Sequence, residues 1–127
     1  MQTNLRYHNR VTTRLEAIMS TGKNQALIGT LANISKAGLM IECSRQVVED
    51  LIPRDSTPSP KTPVRLEVAF DLWLSEGQPE HLHSICNIIH VRRKSREIYQ
   101  VGVEFLSFPH NDYAAVVKYV DQRLQAS

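Results

Sequence analysis

Long apolar runs are missing from this chain of 127 residues. No stretch approaches the roughly 20 apolar residues that a membrane-spanning helix needs. The start, Met1-Gln2-Thr3-Asn4-Leu5-Arg6, has no apolar core of a secretory signal. The sequence therefore reads as a soluble cytoplasmic protein without membrane insertion. Charge of one sign is also scarce. Fifteen Lys and Arg against 13 Asp and Glu leave a net charge of +2, too little to argue for DNA or RNA as a partner. The only two cysteines, Cys43 and Cys86, have no C-x-x-C spacing, and each lies in an apolar run. That points away from a disulfide framework and toward buried free thiols in a reducing compartment. Five scattered glycines make no phosphate-cradling loop. No nucleophile elbow or ordered triad is present, so no enzymatic activity is expected.

What the chain has is an ordinary globular mix, 42% hydrophobic and 22% charged, enough for one domain with its own core. Residues 1–10 are polar and cationic and read as a flexible N-terminal arm; residues 11–127 read as a single domain. Period-two alternation and β-branched residues predict strands over 11–19, 27–34, 39–43, 64–74, 81–93 and 97–105. Gly102 inside the last of these suggests a bulge or a close backbone approach. The second and third strands are joined by the short corner Ser35-Lys36-Ala37-Gly38 and read as a hairpin. Residues 44–63 form an insertion: a helical turn or two over 46–52, then a loop broken by Pro53, Pro58, Pro60 and Pro63. A terminal helix is predicted over 110–125, capped by Asn111 or Asp112. Tyr113, Val117, Val120 and Leu124 give it one apolar stripe for packing on the sheet, with a docking surface for a partner as the alternative. Trp73 reads as core or rim packing. Six strands and one helix make the chain mainly β, a six-stranded antiparallel β-barrel with a C-terminal α-helix.

Two short motifs carry chemistry. Arg6-Tyr7-His8-Asn9-Arg10 is an R-x-x-x-R in the arm, and Asn33-Ile34-Ser35-Lys36-Ala37-Gly38 is an N-x-S-x-x-G at the hairpin corner. The arginine fork matches the O6 and N7 acceptors of guanine and equally two oxygens of a phosphate. Lysine would supply charge without the planar match. Asn33 can both accept and donate at a guanine edge, and Ser35 can donate its hydroxyl. Gly38 is expected to shape the corner through a positive φ. Each motif alone is weak: Arg6 and Arg10 could solubilise the arm, and Asn33 and Ser35 could build a turn.

In this order and spacing, and with Val101-Gly102-Val103-Glu104-Phe105 near the end, the motifs resemble the PilZ domain over Arg6 to about Phe105. The resemblance implies a barrel that binds cyclic di-GMP on its outer surface, clamped by the arm, through Arg6, Arg10, Asn33, Ser35 and Gly38. It implies a receptor that changes conformation on binding and signals through an unidentified protein partner in motility, polysaccharide or virulence control. Many members carry a further arginine directly before R-x-x-x-R. Leu5 stands there in this chain, which implies one ligand molecule rather than a stacked pair. The alternatives are a ligand-free adaptor on the same barrel and a nucleic-acid-binding barrel using the basic run Arg92, Arg93, Lys94 and Arg96. His81, His83, Cys86 and His90 include zinc-ligand types, but strand alternation puts the first two on one face and the others on the opposite one. No metal or cofactor is expected.

Overall fold

Residues 64–73 show in its simplest form how this sequence folds. Leu66, Val68, Phe70 and Leu72 are buried, while Arg65, Glu67, Asp71 and Trp73 between them face water. Alternate side chains of a strand point to opposite faces, so one sequence period makes both an inside and an outside. The computed structural model describes residues 9–22, 25–74 and 77–126. In chain order its elements are β1 (Val11–Ser20), β2 (Leu27–Ile34), β3 (Gly38–Ser44), α1 (Arg45–Leu51), β4 (Val64–Trp73), β5 (Pro79–Arg93), β6 (Ile98–Ser107) and α2 (Tyr113–Ala126).

The strands run in the order β1-β2-β3-β6-β5-β4, all neighbours antiparallel, and the barrel closes because β1 also pairs with β4. Closure leaves no long sheet edge for another chain to extend. Ala17, Met19, Leu31, Ile34, Leu39, Ile41, Val68, Ile88, Val101 and Val103 fill the interior, and Val116, Tyr119 and Val120 of α2 complete the same cluster. Buried hydroxyls are satisfied within the sheet: Thr13 donates to the Leu31 carbonyl at 2.7 Å and Ser84 to that of Val68 at 2.9 Å. The helical turn expected in the insertion is α1. Ser44 caps it by accepting from the Val47 N–H at 3.2 Å. Val47 and Val48 are poor helix formers, but they pack on the core beside buried Leu51, so burial outweighs propensity.

Three expectations are corrected. Helix α2 starts at Tyr113 rather than at 110. Asn111 takes a left-handed φ of 60°, which a right-handed helix cannot include, and the Asp112 carboxylate accepts from the His83 N–H at 3.4 Å. The buried stripe of α2 is Val116, Tyr119 and Val120; Tyr113 is 41% exposed, held on the rim by contacts described below. Of the two placements expected for Trp73, core or rim, it takes the rim: it is 54% exposed, because it follows the inward-facing Leu72. Finally, β5 does not alternate strictly. A register shift between Ile88 and His90 changes its phase, as a bulge does. His90 pairs with outward-facing Gly102 and lies on the outer face, whereas Cys86 is fully buried inside.

Candidate functional site

The corner between β2 and β3 is built by its own side chains. Ser35 donates its N–H to the Gly38 carbonyl at 3.0 Å. Its hydroxyl oxygen accepts from the N–H groups of Ala37 at 3.1 Å and Gly38 at 3.2 Å. A side-chain oxygen thus does the work of a backbone carbonyl, as small hydroxyl residues do in tight turns. Ser35 is 1% exposed, and both of these contacts occupy its lone pairs, leaving its proton as the one group it can still offer.

Gly38 is a glycine for a different reason from the one expected. The positive-φ glycines among the described residues are Gly22 and Gly77. What Gly38 needs is space: a Cβ there would overlap the Val103 carbonyl oxygen and come within 3.0 Å of Glu104 Cα. The absence of a side chain lets β3 meet β6 at this corner. Three further contacts tie the corner down. The Ala37 carbonyl accepts from the Phe105 N–H at 2.9 Å, the Lys36 carbonyl accepts from the Tyr113 hydroxyl at 2.7 Å, and the Lys36 ammonium pairs with Asp121 of α2 at 2.8 Å. Phe105, Phe108 and Tyr113 cluster behind it, with ring centroids 4.9–6.4 Å apart, beside a cleft of about 630 Å³.

Two lateral rows of residues cross the outer face from this corner. The pairings Thr12–Asn33, Asn33–Met40, Met40–Gly102 and Gly102–His90 make the first. Asn33 is partly exposed here, with its side chain on the same face as the row. The second is Thr30–Glu42–Gln100–Arg92, and its side chains are linked. Arg92 donates to the Gln100 amide oxygen at 2.6 Å; Gln100 and Lys94 donate to Glu42 Oε2 at 3.1 and 2.7 Å. The Lys94 and Gln100 hydrogen bonds, helped by the nearby charges of Lys94 and Arg14, hold the Glu42 carboxyl below the usual range against the opposing effect of burial. Arg93 donates to the carbonyls of Ser95 and Arg96. Three cations of the basic run are therefore engaged in shaping the β5–β6 hairpin and its contact with β3, which does not favour a nucleic-acid surface there.

Arg10 is exposed and directly precedes Val11, which pairs with Ile34 at the start of the corner. Its charge reaches across the face: burial pushes the His90 imidazole below its ordinary pKa, and the positive charges of Arg92 and Arg10 push it further. Arg10, Asn33, the Ser35 corner and Gly38 are thus brought to one side of the barrel. Arg6, the other half of R-x-x-x-R, lies outside the described residues, as does Leu5. Sequence reasoning gave His90 and Arg92 other roles, as a zinc-ligand type and as part of a basic run, and did not single out Glu42 or Gln100. The one available signal was Gly102, which the structure explains, since a Cβ there would strike the His90 ring.

The face offers planar cations, an amide and an imidazole, the donors and acceptors suited to a flat, anionic, nitrogen-rich ligand. Among the described residues no group of three His, Cys, Asp or Glu is placed to hold a metal ion. No described helix is long and apolar enough to cross a membrane. Elsewhere, exposed His81 and Asp71 pair at 2.6 Å in a groove of about 400 Å³ that also takes Trp73 and Ile18.

Comparison with known proteins agrees with this architecture. No curated protein matches the sequence significantly. The inhibitor of motility of Bacillus subtilis, MotI/DgrA, superposes over 100% of the chain with a TM-score of 0.72 at 13% identity. K. pneumonia MrkH in its complex with c-di-GMP covers 99% with a TM-score of 0.61 at 15% identity, and Borreliella burgdorferi PlzA in complex with c-di-GMP covers 93% with 0.57 at 16%. The chain spans 54%, 55% and 52% of those three proteins, and at such identities the likeness is one of fold. The sequence profile of the PilZ domain matches residues 4–122, nearly the whole chain, and the chain belongs to the PilZ domain family.

Proposed function

We propose that this protein is a cytoplasmic receptor for cyclic di-GMP that signals by docking onto a protein partner and is not an enzyme. The observation that carries the reading is the position of Arg10: it leaves β1 beside the N-x-S-x-x-G corner, and its charge falls on the outer face that holds Asn33 and His90. In this reading Arg10 and Arg6 grip a guanine and a phosphate, and Asn33 reads a guanine edge. Buried Ser35 and Gly38 contribute by holding the corner in shape. Leu5, where a third arginine would favour a second stacked ligand, limits binding to one molecule per chain. Two neighbours of the same fold, MrkH and PlzA, were solved with c-di-GMP, which supports the ligand class.

Binding would favour whichever arrangement of the corner its contacts stabilise. The surface offered to a partner would change with it; motility, polysaccharide or virulence control are the outputs the family suggests. Anisotropy of fluorescently labelled cyclic di-GMP tests the reading. A saturable rise is expected, reversed by unlabelled cyclic di-GMP and far less by GMP, and abolished by Arg10→Ala. A flat titration would favour the ligand-free adaptor instead.

A further inference from the structure

The imidazole of His90 has an unusual seat. The Cβ position of Gly102 lies 2.7 Å from both Nδ1 and Nε2 of His90 and only slightly nearer to Cε1. An edge-on ring would hold its nitrogens much farther back than Cε1, so the face of the imidazole covers Gly102. Gly102 points outward between the inward-facing Val101 and Val103. The ring therefore lies flat on the outside of the barrel over β6, its opposite face turned away from the barrel wall, and His90 as a whole is half-buried. Any side chain at residue 102 would displace it. The bulge in β5 that puts His90 outside and the glycine that gives it a flat bed are two separate features of the chain, and they serve the same placement.

Resting on the receptor reading above, we propose that the His90 imidazole is the stacking floor for one guanine of the ligand. Asn33 and Gly102 lie in one lateral row with Met40 between them, two strand spacings or about 10 Å apart. A cyclic dinucleotide carries its bases on opposite sides of one sugar–phosphate ring, so one base can meet Asn33 while the other covers His90. Arg10 and Arg92 both bring positive charge to His90, which would attract the phosphodiester charges between the bases. A neutral ring bedded on glycine offers its π-face without charge repulsion from these cations. Base stacking on an aromatic side chain is tolerant of ring type, so the role belongs to the flat surface rather than to imidazole chemistry.

The competing role is packing alone, His90 serving as a cover for the glycine. The two separate by experiment. Isotherms of cyclic di-GMP with wild type, Arg10→Ala, His90→Ala and His90→Phe are compared, and the His90 Cε1–H resonance of the wild type is followed through the titration by NMR. Stacking predicts a loss of affinity of roughly 10- to 100-fold in His90→Ala, the usual range for removing a base-stacking ring, and near-wild-type affinity in His90→Phe. It also predicts an upfield ring-current shift of Cε1–H at saturation. Wild-type binding with an unshifted Cε1–H, or with His90→Ala as tight as wild type, overturns the floor and leaves the receptor standing. A wild type that binds no cyclic di-GMP overturns both. Should His90→Ala fail to fold, the wild-type resonance and the Phe variant still decide.

Discussion

Replacing Gly38 separates two physical reasons for a glycine at the corner. An added Cβ would run into the backbone carbonyl of Val103, not into a flexible side-chain tip. The overlap can be relieved only by parting β3 from β6 where Gly38 faces Glu104. Overpacking of this kind costs about 1–3 kcal/mol. Parting the strands also strains the bond from the Phe105 N–H to the Ala37 carbonyl, worth about 1 kcal/mol. Gly38→Ala should therefore lose about 3 kcal/mol, which lowers the melting temperature by roughly 10 °C for a domain of this size. Gly38→Asn is the telling companion. Asparagine tolerates a left-handed backbone, so if a positive φ were what Gly38 supplied, Asn would be well accepted. Close approach predicts that Asn is at least as harmful as Ala. Thermal unfolding followed by far-UV circular dichroism measures both, and a Gly38→Asn melt within about 2 °C of wild type would refute the close-approach explanation.

Other consequences follow from the same contacts. Ser35→Ala leaves the Ala37 and Gly38 N–H groups without their side-chain acceptor and should cost about 2 kcal/mol in urea unfolding. Burial pushes the Cys43 and Cys86 thiols up to about 11 and about 12; at pH 8 a thiol reagent should label neither until the protein unfolds, and labelling of the folded protein at the rate of a free thiol would contradict that burial. The Glu42 carboxyl is held below its unfolded value. Its contribution to stability is present above that value and is lost as pH falls through the folded one. Lys94→Met, which removes the 2.7 Å partner of Glu42, should cost up to about 1 kcal/mol at pH 7 and progressively less as the pH is lowered and the folded carboxyl protonates, as equilibrium unfolding across an acid pH series would report.

The barrel was legible because its strands alternate. Leu66, Val68, Phe70 and Leu72 announce β4, and Leu27–Ile34 is bounded as the sequence suggests. Strict alternation failed at the bulge between Ile88 and His90, because one extra residue reverses every facing beyond it. That reversal hid the flat imidazole. In α2 the apolar residues span more than one helical face. Which of them turn inward depends on the Tyr113 hydroxyl reaching the Lys36 carbonyl, a contact across 77 positions of chain that no local pattern encodes. Gly38 was rightly singled out but for the wrong reason, since crowding by Val103 comes from a strand distant in sequence. Of the motif residues, Arg10, Asn33, Ser35 and Gly38 fall on one side of the barrel, as the corner and the start of β1 are neighbours through Val11 and Ile34.

Isothermal titration calorimetry of cyclic di-GMP into wild type and Arg10→Ala tests the receptor reading most directly. The expected result is one saturable transition at one ligand per chain for wild type and no binding heat for a variant that melts as wild type does. Absence of binding by wild type, or an isotherm unchanged by Arg10→Ala, would contradict it.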